Sequence, residues 1–258
     1  MLVNAHGLPL TLGDKLGEGG EGIIYALGND AVKLYHHPLD ALRLEKLLLM
    51  VQSGNADLRS IAAWPSTTVH QGRPDSPACG FIMPRAQGGL LHVHYNPKDR
   101  KQFYPEENWG FLVKVAQNLA AAVAVLHHYG IVIGDINESL VMVDEQNSHV
   151  HLVDTDSFQV RDARQIFPCR VFSPDYTPPE LVGQSLSSSV RTTDHDAFGL
   201  AVLLFKTLLG GWHPFDGKTP NPMTIPEKIQ QGLYGYGGLP GISPPRLGVP
   251  PTILPPDL

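Results

Sequence analysis

Cysteine is almost missing from this 258-residue chain: only Cys79 and Cys169 occur, 90 positions apart. Two such thiols make no disulfide framework, and with no C-x-x-C pair there is no thiol zinc site; a reducing cytoplasm is the simplest setting. Basic charge is also short, with 19 Lys+Arg against 25 Asp+Glu and a net charge of −6. Such a balance gives no electrostatic reason to expect nucleic acid or an anionic membrane as partner. Long apolar runs are lacking too. Stretches such as Leu119 to Leu126 fall far short of the ~20 residues of a membrane helix, and Met1 to Pro9 lacks the basic and apolar regions of a signal peptide. What remains is 42% hydrophobic and 17% charged residues, the composition of a globular chain able to bury a sizeable core.

From Gly7 to about Arg85, short β-like runs alternate with Gly, Asn and Pro turns. Ile23 to Leu27, then Gly28-Asn29-Asp30, then Ala31 to Tyr35 reads as a hairpin. One helix is expected over Leu39 to Val51, with Leu42, Leu44, Leu47, Leu48 and Val51 mostly on one face. Two further strands are expected near Thr67 to His70 and Gly80 to Met83. Beyond Gln87 the pattern turns helical. Phe111 to Tyr129 carries apolar residues at three- and four-residue spacing and ends at Gly130, and Thr193 to Leu209 reads as a buried helix. Between them lies a second hairpin, Ser139 to Val143 and Val150 to Val153. From Tyr234 onward the chain is irregular.

The chemistry is concentrated in three segments. Gly17-Glu18-Gly19-Gly20-Glu21-Gly22 fits G-x-G-x-x-G, but the residues that follow read as a strand, so Gly17, Gly19, Gly20 and Gly22 sit at the bend of a hairpin. Glycines there let backbone N–H groups approach phosphate oxygens closely. Lys33, eleven residues on, supplies a compact positive charge for the same phosphates. Glu45, within the first helix, reads by itself as a solvated glutamate, though a carboxylate there can also pair with Lys33. The third segment sets Asp135 in a loop after the long helix, and Asp154 and Asp156 nineteen and twenty-one residues later, at the close of a strand. Two acidic sites in this order suit phosphoryl transfer: one takes the proton of a substrate hydroxyl, the other holds Mg²⁺. Pairs such as His92/His94 and His149/His151 read mostly as surface or capping groups, and Cys169 as inert.

With these landmarks in order, the chain resembles the protein kinases from about residue 11 to residue 217. Gly17 to Gly22 looks like the Gly-rich loop, Ala31-Val32-Lys33 like the strand lysine motif and Glu45 like its helix partner. Met83 is similar to the gatekeeper and Pro84-Arg85-Ala86 to the adenine-binding hinge, with Ile24, Ala31 and Met142 enclosing the base. Ile133-Gly134-Asp135 resembles His-Arg-Asp, Asp154-Thr155-Asp156 resembles Asp-Phe-Gly, and Tyr176-Thr177-Pro178-Pro179-Glu180 resembles the Ala-Pro-Glu segment. Asp196 looks like the aspartate that opens the central helix. The resemblance implies an α+β two-lobed fold, with residues 1–86 as a β-sheet lobe with one helix and 87–258 as a helical lobe, trimmed at its C-terminus. It implies ATP and Mg²⁺ as cofactors, bound between the lobes, with transfer to a Ser or Thr hydroxyl of a protein substrate. Gly-Asp-Ile-Asn-Glu-Ser, Asp-Thr-Asp-Ser-Phe-Gln and Thr-Pro-Pro-Glu-Leu look like a bacterial branch found beside metal-dependent phosphatases and von Willebrand A-type proteins, including tellurite-resistance-type systems.

The pattern is broken in three places. Leu140 stands where kinases keep a metal-binding Asn, leaving Asn137, Ser139 or Asp156 to replace it. Ile133 and Gly134 remove the usual His and Arg. No arginine matches the usual partner of Glu180, Arg246 being a poor candidate. Two other readings follow: a pseudokinase that binds nucleotide or a partner without turnover, and a small-molecule kinase, against which Thr-Pro-Pro-Glu argues. Asp196, opening a buried helix, is expected to accept hydrogen bonds from catalytic-loop N–H groups, because an unpaired charge there costs several kcal/mol.

Overall fold

A computed structural model describes residues 1–185 and 189–255; the expected boundary at Leu258 lies outside the described residues. The chain divides into two units, one of Met1–Gln87 with His151–Phe167 and the other of Gly88–Val150 with Pro168 onward. The architecture is α+β, a seven-stranded sheet in the first unit and mainly helices in the second.

The first unit begins with β1 (Leu2–Asn4), β2 (Pro9–Leu10), β3 (Lys15–Glu18), β4 (Gly22–Leu27) and β5 (Asp30–Tyr35). Helices α1 (Ala41–Ser53) and α2 (Ala56–Ile61) follow, then β6 (Thr67–Gln71) and β7 (Ala78–Pro84). The strands form one sheet in the order β2-β1-β6-β7-β5-β4-β3. Its pairings are antiparallel, and the expected β4–β5 hairpin turns at Gly28 with φ +61°.

Because side chains alternate across a strand, β5 sorts its residues onto two faces. Val32 joins Val69 and Ile82, with Leu34 packed beside them. Ala31 instead joins Leu47, Phe81 and Met83, with Ile24, Tyr35 and Val153 against it. Lys33, between Val32 and Leu34, shares the face of Ala31 and Tyr35.

Helix α1 is capped by the Asp40 carboxylate, which accepts from the Arg43 N–H. Leu47 and Met50 are its buried residues, whereas Leu48, expected on the apolar face, is 48% exposed. At about 100° per residue, turning Leu47 inward sends Leu48 away.

The second unit opens with β8 (Gly89–Leu90), α3 (Leu91–Tyr95), α4 (Pro97–Phe103) and α5 (Trp109–His128). The Asn108 side chain caps α5, and Gly130 follows its end with φ +70°. By length and composition alone α5 is apolar enough to cross a membrane, although the expectation found no such run. It buries Leu112, Val115, Leu119, Val123 and Leu126 within this structure. Strand β9 (Val141–Val143) pairs with β8, and β10 (Val150–Leu152) leads back to the first unit. There a short hairpin, β11 (Val160–Arg161) and β12 (Ile166–Phe167), closes the inserted segment. Helix α6 (Thr193–Leu208) begins with a Thr192/His195 capping box, and α7 (Ile225–Gln230) precedes a tail that is irregular, as expected. The short helices α2, α3, α4 and α7 and strands β1, β2 and β8 were not anticipated; each is too brief for periodicity to register.

Candidate active site

In the first unit the chain after β10 turns sharply. Asp154 adopts the left-handed conformation (φ 52°, ψ 34°), and a short 3₁₀ turn, Thr155–Ser157, follows. An aspartate tolerates this region better than most residues, and such positions cluster at functional sites. The turn is held on both sides. Thr155 Oγ1 donates to the Ala63 carbonyl at 2.7 Å, and Lys46 Nζ donates to the Asp156 carbonyl at 2.7 Å.

Two carboxylates are thereby aimed at Lys33. Its Nζ lies 2.7 and 3.0 Å from the two Asp156 carboxylate oxygens and 3.2 Å from Asp154 Oδ1. The Tyr35 hydroxyl donates to Asp156 Oδ2 at 2.9 Å. Lys33 and Asp154 therefore meet directly. The Lys33 side chain is 8% exposed and that of Asp156 6%, whereas Asp154 is 56% exposed. Burial alone drags the Lys33 ammonium toward neutrality, but the charges of Asp156 and then Asp154, with their hydrogen bonds, outweigh it and hold its pKa above the ordinary lysine value. Burial, reinforced by Asp156, pushes the Tyr35 phenol well above its ordinary range.

Glu45 does not join this group. It is exposed on α1 and makes no ion pair among the described residues; the next residue, Lys46, points at the turn instead. The expected Glu45–Lys33 pair is thus replaced by Asp156–Lys33. The reason is helical phase: with Leu47 and Met50 buried, position 46 faces inward and position 45 does not.

The glycine segment is open. A Cβ added at Gly17, Gly19 or Gly20 meets nothing within 4 Å, whereas one at Gly22 comes within 2.3 Å of the Leu34 carbonyl oxygen. Gly22 is thus required by the β4–β5 pairing, and the other three leave free space above the loop. Ile24 and Met83 pack on the same cluster as Ala31, and Arg85 is half-buried just beyond β7. Met142, on β9, is half-buried in the second unit.

A divalent cation fits this chemistry through Asp154. One of its carboxylate oxygens has no partner among the described residues and its side chain is largely exposed, while both Asp156 oxygens are engaged. Among the described residues no group of three or more His, Cys, Asp and Glu forms a cage. That suits Mg²⁺, which is usually held by one or two carboxylates and substrate phosphates, not by an all-protein shell.

In the second unit the loop after α5 is anchored on Asp196, 2% exposed at the first turn of α6. Its carboxylate accepts from the Ile133 N–H at 2.7 Å and the Gly134 N–H at 2.8 Å, with His127 Nε2 at 2.9 Å. This is the arrangement expected of it.

Gly134 has φ +79°, and a Cβ there would fall 2.5 Å from Cys169 Cβ and 3.4 Å from Arg191 Cγ. Cys169 and the Arg191 stem therefore fill the space beside the position where kinases carry arginine. Asp135 follows, half-buried, with its Oδ1 buried and, among the described residues, unpartnered. Burial raises its pKa above the ordinary aspartate value, opposed by hydrogen bonds from Ser173 and Asn137 and by the Arg191 charge. Asn137 Nδ2 donates to the Asp135 carbonyl and to Ser173 Oγ, both at 3.1 Å. Ser139 is exposed, and Leu140 is 7% exposed with no oxygen to offer. Glu180 has the His195 ring 3.7 Å away, a weak partner where an arginine was sought.

Sequence reasoning did not give Tyr35 or Lys46 roles, nor Ser173, His127 and Arg191. The first two had a signal: Tyr35 is two residues from Lys33 on one strand, hence on the same face, and Lys46 adjoins Glu45. The others come from segments distant in sequence.

The family model for the protein kinase domain matches residues 70–233. The glycine segment and Lys33 precede that span. The protein kinase YegI of Escherichia coli O157:H7 is 38% identical over 270 aligned residues, covering 100% of this chain and 41% of the relative. The protein of the same name from Escherichia coli K12 is 39% identical over 261, covering 96% and 40%. The chain thus spans about two fifths of the length of the curated relatives it matches.

Proposed function

Starting from the premise that this chain belongs to the protein kinase domain family, we propose that it transfers the γ-phosphoryl group of ATP to a serine or threonine hydroxyl of a protein. The observation that carries the proposal is Asp135: a half-buried carboxylate with one buried oxygen unpartnered, whose environment already includes the hydroxyl of Ser173. A substrate hydroxyl needs such an acceptor, and the raised pKa strengthens the carboxylate as a base. Lys33 offers its ammonium to the phosphates, and Gly17, Gly19, Gly20 and Gly22 leave the backbone room to approach them. Ile24, Ala31 and Met83, which pack in one cluster, are the residues for the base; Arg85 and Met142 join them on the family resemblance alone. Asp154 would hold Mg²⁺, which when bound neutralises charge on the phosphates. The narrower bacterial branch, with a metal-dependent phosphatase and a von Willebrand A-type protein as partners, has the support of the three motif sequences alone.

A second reading has its own observation. Leu140 is a buried apolar residue at the position of the metal-binding Asn, which favours nucleotide binding without turnover. Incubation with γ-labelled ATP and Mg²⁺ separates the two. The proposal expects label on serine or threonine of the protein itself or of a generic protein substrate, abolished by a chelator. Absence of label with a nucleotide-induced rise in melting temperature gives the second reading; absence of both removes the ATP assignment.

A further inference from the structure

We infer that Asp156, together with Tyr35 and Lys46, is the device that positions Lys33, doing from the turn after β10 what a helix carboxylate was expected to do from α1. The inference rests on the reading of Lys33 as the phosphate-binding group, but the geometry stands without it.

A buried ammonium needs a buried counter-charge, and among the described residues Asp156 is the buried carboxylate that contacts it. Asp154 is mostly exposed and touches Lys33 through a single oxygen at 3.2 Å, whereas Asp156 is nearly buried and grips it with both. Asp156 is in turn held three ways. The Tyr35 hydroxyl donates to its carboxylate, Lys46 fixes its carbonyl, and Thr155 ties the preceding residue to Ala63.

Relative to the expected pair, the charges are exchanged. Helix α1 presents a cation, Lys46, to the turn, and the turn presents an anion to the strand lysine. Two consequences follow. Both Asp156 oxygens are engaged and buried, whereas Asp154 is largely exposed with one oxygen unengaged among the described residues, so the metal role falls to Asp154. Helix α1 is tied to the turn's main chain through Lys46, a contact that does not involve the Asp156 carboxylate.

The test uses the 258-residue chain and four variants, Asp156→Asn, Tyr35→Phe, Asp156→Gly and the double variant Asp156→Gly with Lys46→Glu, each first checked for a cooperative melt. Three readouts are taken: the affinity for a fluorescent ATP analogue without metal, the Mg²⁺ concentration giving half-maximal phosphotransfer, and the rate at which an amine-acylating reagent labels Lys33 in nucleotide-free protein. Asp156→Asn should weaken analogue binding by about tenfold and leave the half-saturating Mg²⁺ within about twofold. It should also speed Lys33 labelling by about threefold or more, because the amine loses the oxygens that grip it at 2.7 and 3.0 Å. Tyr35→Phe should do the same more weakly. The double variant, which returns a carboxylate to α1, should recover part of the binding lost in Asp156→Gly.

A large rise in the Mg²⁺ requirement with unchanged Lys33 labelling would make Asp156 a metal ligand and overturn the inference. Failure of the wild-type chain to bind nucleotide or transfer phosphate would remove the kinase reading, yet the labelling rates would still decide whether Asp156 holds Lys33. Should Asp156→Asn not fold, unchanged labelling in a folded Tyr35→Phe together with no recovery in the double variant counts against it.

Discussion

Each unit buries a charge, and the two solve the problem differently. In the first, the Lys33 ammonium is neutralised by side-chain carboxylates, one of them exposed. In the second, the Asp196 carboxylate is neutralised by two backbone N–H groups and an imidazole. A charge held by main-chain dipoles has nothing to trade its partners for, so Asp196 acts as a fixed post that shapes the loop. A charge held by an exposed carboxylate can exchange that contact for a ligand's oxygens, which is what a binding group requires. Asp135, beside the post, shows the complementary feature, a buried oxygen left without a partner.

The comparison is broken most forcefully at Asp196. Asp196→Ala should cost about 3–5 kcal/mol in a urea titration, because hydrogen bonds to a charged group contribute about 1.5–3 kcal/mol each and two buried N–H groups lose their acceptor. A loss of only a few tenths would mean that the loop is shaped by something else. Next comes Asp135→Asn. It should lower kcat by about 10²–10⁴-fold while leaving stability equal or slightly higher. The sign follows from the raised pKa: the folded state disfavours the ionised form relative to the unfolded chain, so removing the charge relieves a cost. For the same reason the acid limb of the kcat/KM profile should lie above the ordinary aspartate value of 3.8, activity falling as pH drops through it.

A smaller effect is expected at Leu140. Leu140→Asn should cost about 1–3 kcal/mol as a buried polar replacement, and should lower the Mg²⁺ needed for half-maximal activity if its oxygen reaches the ion. The smallest is at Glu45. Glu45→Gln should change stability by less than about 0.5 kcal/mol, as for other exposed sites, and leave phosphotransfer unaltered.

What was legible beforehand follows the same division. The β4–β5 hairpin, α5 and α6 were readable because their periods run long enough to repeat, and Asp196 because a charge opening an apolar helix must find donors. The pairing of Lys33 was misassigned to Glu45, since a sequence shows spacing but not helical phase to within one residue. The buried contact of Leu47 and Met50 settled that phase. Cys169 beside Gly134, and Ser173 beside Asn137, depend on chain segments tens of residues apart, and no local pattern announces them.

The most direct test of the central claim is label transfer from γ-labelled ATP by wild-type, Asp135→Asn and Glu45→Gln proteins measured side by side in Mg²⁺. The account predicts that Glu45→Gln matches wild type while Asp135→Asn, still folded, loses nearly all transfer. Full transfer by Asp135→Asn would contradict it.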